Sequence, residues 1–452
     1  MTHNMITKTI GVLALSLSVL TATAQEARQL SLTEAVDLSL KNSKQLKLSQ
    51  AKVAEATASL HEARERMLPD VSVSGSYLRL NQPNIDLKLG GGSSSGGTDT
   101  GSAKSGGSPD VNSAAYVLAN ASLPVFAGFK IQAGIQSAKY LAKAAELDAA
   151  SQRDEVVENT IAAYGNLYKA QRAVDLVREN LRQSQQRVKD FSNLEQNGVM
   201  ARNDLLKAEL QQSNIELSLL DAENNFKIAN INMNLMLGLP EETILTTDSS
   251  SFVSMTDTRT IGDWESLALQ SRNDALALDY RAKAATAGIK AAKGDYYPSL
   301  AITGGYVAAD IPNVLTLTNA VNVGVGVKYS PSSLWKTGSK VAQAKARLAQ
   351  VEASQSMLGD NIRIQINQAY QNYLVSIKKI DVYAKAVEQA NENYKIVKNK
   401  HDNSLATTTD LLDADVAQLQ AKLNYAFAKA DAVVAYNKLL ETAGTLNQNG
   451  NQ

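Results

Sequence analysis

The chain contains no cysteine. Disulfides, thiol catalysis, Cys-ligated zinc and an N-terminal lipid-modified cysteine are excluded. Histidine is almost as scarce: His3, His61 and His401 are the only three, far apart in sequence. A histidine metal site or a Ser-His-Asp triad has too little to build on. Neither sign of charge is in excess, with 45 Lys and Arg against 45 Asp and Glu. That balance argues against a nucleic-acid binder and against a polybasic membrane-surface protein. Aromatic residues are only 5% of 452, a lean set for one compact core of this length. The 44% of hydrophobic residues is rich in Ala and Leu, which suits long helices and the seams between them.

Long apolar runs are missing as well. Ile10 to Leu20 follows Lys8 and precedes Ala22-Thr23-Ala24, an A-x-A cleavage site before Gln25. Residues 1–24 therefore read as a secretory signal peptide, with an uncleaved anchor as the competing reading. The stretch is about half the roughly 20 residues that a spanning helix needs. Its removal leaves 44 basic against 45 acidic residues, a formal charge of −1. No other run reaches spanning length, so a place in a membrane would require a β-barrel.

What is present is written twice. Ala163-Tyr164-x-Asn166 recurs as Ala369-Tyr370-x-Asn372. Asn197 followed by Asp204-Leu205-Leu206-x-Ala208 recurs as Asn403 followed by Asp410-Leu411-Leu412-x-Ala414, and Gly238 pairs with Gly444. All these pairs lie 206 residues apart without a gap. Leu68-Pro69 to Tyr77 resembles Tyr297-Pro298 to Tyr306 at an offset of 229, the difference being an insert near 81–112. A period this long is not a solenoid; it means two equivalent halves.

The halves are read as a first repeat over 25–240, a linker over 241–263, a second repeat over 264–444 and a tail over 445–452. Each opens with a helix, about 32–67 and 264–296. Pro69 or Pro298 ends it, since proline disfavours helix at the residue before it. A β-hairpin follows, about 70–123 and 299–329. Val71, Val73, Gly75 and Tyr77 share a face opposite Ser72, Ser74 and Ser76. Val321, Val323, Val325, Val327 and Tyr329 alternate strictly with Asn322, Gly324, Gly326 and Lys328. Pro124 and Pro331 close the hairpins. Long helical hairpins complete the halves, about 130–237 and 337–443. Their outgoing arms lack proline and, as continuous helices of about 66 residues, span roughly 100 Å. Leu412, Leu419, Ala426, Val433 and Leu440, with Val416, Leu423 and Ala430, predict a coiled-coil seam, as do Val174, Leu181 and Val188 with Val177 and Phe191.

Strands of about ten residues match a membrane-spanning β-strand, but the smallest membrane barrels have eight strands and an open edge in lipid is costly. The fold class is therefore α+β, with two internal repeats, long coiled coils and four strands that need other copies to close a barrel. A dimer would give eight strands, a trimer twelve and a tetramer sixteen; twelve would leave a pore. Tyr77, Tyr116, Tyr306 and Tyr329 are candidates for one interfacial girdle, with Phe126, Phe129 and Trp335 for a second. A soluble β-domain is the competing reading.

On these features the chain resembles the TolC-type outer-membrane efflux proteins over essentially its whole mature length. The resemblance rests on Leu68-Pro69-Asp70-Val71 and Tyr297-Pro298-Ser299-Leu300, on Leu123-Pro124-Val125-Phe126-Ala127-Gly128, and on the two helical-hairpin tips. The tips run from Asn197 to Glu209 and from Ser404 to Ala414. The resemblance implies a homotrimer with a 12-stranded barrel in the outer membrane of a Gram-negative bacterium, in contact with its lipid. It implies an α-helical barrel in the periplasm, belted by 240–262 and 445–452. The tips would meet a periplasmic adaptor bound to an inner-membrane pump or exporter. The duct itself would be passive, and would open by an iris-like shift of the coiled coils.

Asp410 and Asp413 match the acidic ring at the periplasmic constriction of such proteins. Threefold symmetry would gather six carboxylates; two at about 6 Å repel by roughly 3 kcal/mol at a dielectric of 20, so the ring would favour cations. Asp410 as a helix cap is the competing reading, and Asp204, its counterpart, fits that reading better. Gly198, Val199 and Met200 match the tip that meets the adaptor, with Gly198 also a helix C-cap. The second tip departs from the family: Ser404, before Leu405, stands where Gly is usual, and Ala406 where an Arg often holds the closed state. The Gly/Ser tract 90–108 reads as a flexible loop outside the cell. No nucleophile–base pair or metal constellation is visible, so no enzyme, cofactor or metal is expected. The alternative to an export duct is a periplasmic coiled-coil adaptor or scaffold without a pore.

Overall fold

The structure, a computed structural model, describes residues 28–81, 111–248, 257–312 and 314–446. The expected signal peptide at 1–24, the tract at 90–108, residues 249–256 of the belt segment and 447–452 of the tail lie outside the described residues. In the first half, strand β1 (Arg28–Leu30) leads into helices α1 (Leu32–Asn42) and α2 (Lys44–Glu65). Strands β2 (Asp70–Arg79) and β3 (Ser113–Phe126) and helices α3 (Lys130–Gln196) and α4 (Arg202–Leu237) follow. The second half has β4 (Leu245–Thr247), α5 (Ile261–Ser271), α6 (Asn273–Lys293), β5 (Ser299–Ile311), β6 (Leu315–Lys328), α7 (Ser333–Asp402) and α8 (Thr408–Thr442). No described helix is long and apolar enough to cross a membrane. The described residues form two compact units: one within 28–52, 146–277 and 355–446, the other within 53–145 and 278–354.

The first helix of each half is in fact two. They break at Ser43 (φ −57, ψ 120) and Arg272 (φ −66, ψ 124), which are 229 residues apart like the prolines. The Ser43 hydroxyl accepts from the Leu46 N–H at 3.2 Å and so caps the helix that follows. The Arg272 guanidinium is held by Asp274 at 2.7 Å and by the Thr442 carbonyl at 3.2 Å. Local side-chain contacts interrupt the helix without proline, which is why periodicity alone runs through them.

The repeat also fixes the far ends of the return helices. Gly238 (φ 70) and Gly444 (φ 72) both take the left-handed conformation that ends a helix. A Cβ at Gly238 would stand 3.0 Å from the Asn42 side chain, and one at Gly444 2.9 Å from the backbone at Ser271 and Arg272. Glycine is required twice, at the same place in each copy. Two cores follow the same rule. Leu30, Tyr164, Leu167, Met233 and Leu237 are buried in one, and Trp264, Ile362, Ile366, Tyr373 and Leu439 in the other. Met233 and Leu439 are equivalent, as are Leu167 and Tyr373. Strands β1 and β4 pair in parallel, an element that the hydropathy pattern does not reveal because each is three residues long.

The coiled-coil register departs from the sequence reading. On α3 the buried stripe is Val174, Val177, Asn180, Ser184, Arg187 and Phe191; Leu181 and Val188 flank it half-buried. On α8 Leu412, Ala426, Ala430 and Leu440 are buried, Leu419, Leu423 and Val433 half-buried, and Val416 exposed. Three polar residues hold seam positions on α3, so a search for apolar heptads slips to the neighbouring apolar row.

The larger sheet is an antiparallel meander in the order β2-β3-β5-β6. Residues opposite one another share a face. Val71, Val73 and Gly75 lie opposite Ala121, Ala119 and Val117, and these opposite Gly304, Tyr306 and Ala308. Gly304 and Tyr306 in turn lie opposite Val323 and Val321. One apolar face thus runs unbroken across four strands, with Val73 72% and Val323 81% exposed. The other face carries Ser72, Ser74, Asn120, Ser122 and Asn322. Tyr77 and Tyr306 are on the apolar face. Tyr116 is not: it pairs with Ser76 on the polar face, which removes it from the girdle expected from sequence. Among the described residues β2 and β6 are each paired along one side only.

Pro69 and Pro298 immediately precede β2 and β5, and Pro331 lies in the turn before α7. Pro124 does not close its hairpin. It lies within β3, at a bulge between Pro124 and Phe126 against β5. A proline has no N–H for the ladder, and a bulge is where a strand tolerates that loss. Phe126, Phe129 and Tyr297 then stack edge to face at 5.3 and 6.1 Å where the strands give way to helices.

Candidate functional site

The two helical hairpins turn at Gly198 and Ser404. In the first, Gly198 (φ 69) donates to the Glu195 carbonyl at 2.9 Å and Val199 to the Leu194 carbonyl at 2.9 Å. In the second, Ser404 (φ 61) donates to the His401 carbonyl at 2.9 Å and Leu405 to the Lys400 carbonyl at 2.7 Å. The two turns are one geometry, and both satisfy helix-end carbonyls. Serine carries a steric penalty there that glycine does not. Gly198→Ala is expected to cost about 1 kcal/mol and Ser404→Gly to gain about 0.5 kcal/mol, after allowance for the more flexible unfolded chain. Denaturation midpoints of the two variants check this pair.

Val199 and Leu405, at 72% and 76% exposure, are the apolar tips of the turns. Behind them lies a small core. Phe191 of α3, Leu205 and Ala208 of α4 and Leu411 of α8 are buried together, with Met200 and Tyr394 packed against them. The repeated Asp-Leu-Leu-x-Ala sequence is thereby explained: its first Leu and its Ala are buried in both copies, at Leu205, Ala208, Leu411 and Ala414. The core makes the two turns neighbours. Lys207 of α4 reaches Thr409 of α8 at 3.3 Å. The His401 ring stacks on Phe191 at 5.4 Å. A crevice of about 920 Å³ opens beside these groups, walled also by Tyr394 and Lys398.

The acidic residues of the tips separate into distinct roles. Thr407 is the N-cap of α8. Its hydroxyl accepts from the Asp410 N–H at 3.1 Å, and its own N–H donates to the Asp410 carboxylate at 2.9 Å. This reciprocal pair is a capping box. The Thr407 hydroxyl also donates to that carboxylate at 2.6 Å. Hydrogen bonds from the Thr407 hydroxyl and backbone hold the Asp410 carboxyl below its ordinary range. Asp410 is therefore the third residue of the helix, completing the cap, and remains solvent-exposed. Asp413 lies one turn further on, also exposed. Asp204, the counterpart of Asp410, does not cap α4. Ala201 holds the N-cap position and has no hydroxyl, and the Asp204 carboxylate meets Lys207 at 3.3 Å instead.

One cluster has no counterpart among the residues expected from sequence. Asp415 of α8 is wholly buried and accepts from Arg187 of α3 at 3.1 Å and from Asn180 of α3 at 3.2 Å. Arg187 also reaches the Tyr394 hydroxyl of α7 at 3.5 Å. The signal is there in the spacing. Asn180 and Arg187 are seven apart on the seam, as are Val177, Ser184 and Phe191, but polar residues interrupt an apolar count.

The outer membrane efflux protein family matches this chain over residues 35–239 and 264–445, one stretch in each half. Outer membrane efflux protein BepC of Brucella suis biovar 1 (strain 1330) is 22% identical over 324 residues, covering 71% of this chain and 70% of BepC. The solved structure of the outer membrane protein VceC of Vibrio cholerae has a TM-score of 0.73 at 17% identity, over 91% of this chain and 96% of VceC. That of the Campylobacter jejuni CmeC outer membrane channel has a TM-score of 0.74 at 18% identity, over 92% of this chain and 86% of CmeC. At such identities the solved structures speak for the fold alone. The duplicated helix, hairpin and helical hairpin, matched in both halves, settle the family: the chain belongs to the outer membrane efflux proteins.

Proposed function

We propose that three copies of this outer-membrane efflux protein form one passive duct from the periplasm to the outside. The apolar face of the sheet carries this reading. Four strands with one unbroken apolar face and, among the described residues, two unpaired outer edges cannot stand alone in lipid. Twelve strands, from three chains, close the edges and leave a pore. The helical hairpins then line a periplasmic conduit, with residues 240–248 and 257–262 around its middle. Gly198, Val199, Met200, Ser404 and Leu405 face a periplasmic adaptor, to which the exposed Val199 and Leu405 offer apolar contacts. Asp204 supports that tip through Lys207. Asp410 and Asp413 line the constriction. The energy comes from an inner-membrane pump or exporter joined through the adaptor.

The test is the native mass of the protein extracted from outer membranes. Detergent is expected to be needed, and the extracted particle to contain three chains. A monomer released without detergent would favour a periplasmic scaffold and end the duct reading.

A further inference from the structure

Where the sheet gives way to helices, α6 touches both α3 and α7. Ser137 of α3 donates its hydroxyl to the Ala284 carbonyl of α6 at 3.1 Å, and Tyr140 packs on Tyr280 at 6.1 Å. Lys340 of α7 meets Asp295, two residues past the end of α6, at 2.7 Å. A crevice of about 610 Å³ opens between the three helices, a size that small molecules occupy. Arg281 of α6 and Lys340 and Arg347 of α7 line it, and no acidic side chain among the described residues does. The whole chain balances its charges, so this is a local excess of one sign. Lys340 and Arg347 are two turns apart on α7, roughly 10 Å. Asp295 is shared by Lys340 and Lys130, so one carboxylate faces two ammonium groups. Arg347 is solvent-exposed.

The rest of the lining is apolar. Ala285 and Gly288 of α6, Leu141 of α3 and Val351 of α7 contribute to it. A Cβ on Gly288 would meet nothing within 4 Å, so packing does not require glycine there and the space is open. We infer that this crevice binds an organic anion with an apolar body, a sulfonate or a carboxylate, carried as cargo. As a station for cargo it rests on the duct reading; as a binding site it does not. A guanidinium presents paired N–H donors to such an anion. A small inorganic ion would gain little from the apolar lining, whereas an apolar body displaces water from it. An uncharged body would leave the three cations unused. Several cations within reach of one another also suit passage, because a ligand shared among sites enters readily and still leaves.

The experiment is equilibrium binding of naphthalenesulfonate to the full-length protein in nanodiscs of zwitterionic phospholipid. Saturable binding is expected, with methanesulfonate and the uncharged naphthylmethanol each weaker by about tenfold or more. Arg347→Gln removes one cation, and Gly288→Leu fills the crevice with every charge intact. Leucine is also the better helix former. Each variant is expected to weaken binding by about tenfold or more, with native mass unchanged. No saturable binding, wild-type affinity in either variant, or equal affinity for either control compound would overturn the site. Binding is expected to persist in nanodiscs that contain anionic phospholipid. Its loss there would give the crevice to lipid and overturn the assignment to cargo. A protein that binds the probe but never conducts in planar bilayers would instead overturn the duct reading and leave the binding site standing.

Discussion

Val323→Arg is expected to abolish assembly in the outer membrane, while Asn322→Arg leaves it intact. The two residues are neighbours on β6 but point to opposite faces of the sheet. Val323 is the most exposed large hydrophobic residue on the apolar face, at 81%. An arginine facing the middle of a bilayer costs about 2–4 kcal/mol. A barrel of three chains would carry it three times, roughly 6–12 kcal/mol, comparable with the whole stability of a domain. Asn322 lies on the face with Ser72 and Asn120, where the water-filled lumen of such a barrel would accept a charge. The readout is the amount of oligomer in outer-membrane fractions. Equal amounts for the two variants would mean that lipid does not cover the valine face.

Asp410→Asn combined with Asp413→Asn is expected to remove most of the cation preference of the pore and its block by trivalent cations. Asparagine suits the test better than alanine. Its side-chain oxygen still accepts from the Thr407 N–H, so the cap of α8 survives and only charge is lost. Six carboxylates at one constriction would repel one another by several kcal/mol, a repulsion that a trivalent cation relieves. The pH dependence has a definite sign. Asp410 is held below its ordinary range by Thr407, so it remains ionised at neutral and mildly acid pH and the preference persists there. The Asp410 contribution is lost as pH falls far enough to protonate that carboxyl. Ion selectivity from reversal potentials measures both effects. Unchanged selectivity in the double variant would remove these residues from the pore.

Much of this architecture can be read from the residues, for identifiable reasons. The duplication is explicit in Gly238 and Gly444, because a left-handed helix end next to a neighbouring chain segment admits nothing larger. The long helices announce themselves through absent prolines. What the sequence hides is local or polar. Ser43 and Arg272 break helices through side-chain bonds that have no signature in hydropathy. The faces of β3 are not legible in the sequence, so Tyr116, a girdle candidate, falls on the polar face: a strand's faces depend on pairing register, and an insert separates β3 from β2. At the tips, Asp204 and Asp410 open the same Asp-Leu-Leu-x-Ala stretch; only the residue three before each, Ala201 or Thr407, decides which one completes a cap. Asp415 and Arg187 stay invisible because burial of charge is the exception that hydrophobic patterns are built to ignore.

The strand order holds a further consequence. In β2-β3-β5-β6, the contact between β3 and β5 joins the hairpin of one half to the hairpin of the other. Closing a ring would place β6 of one chain beside β2 of the next, again second hairpin to first and again antiparallel. Inside and between chains, the junctions would be of one kind. A half-length chain with a single hairpin would obey the same edge rule, with six copies in place of three. The covalent link between halves is then what lets the copies diverge. The two copies differ at the turns, Ser404 standing where Gly198 does and Ala201 where Thr407 does, so a ring of three chains would carry two alternating sets of turns.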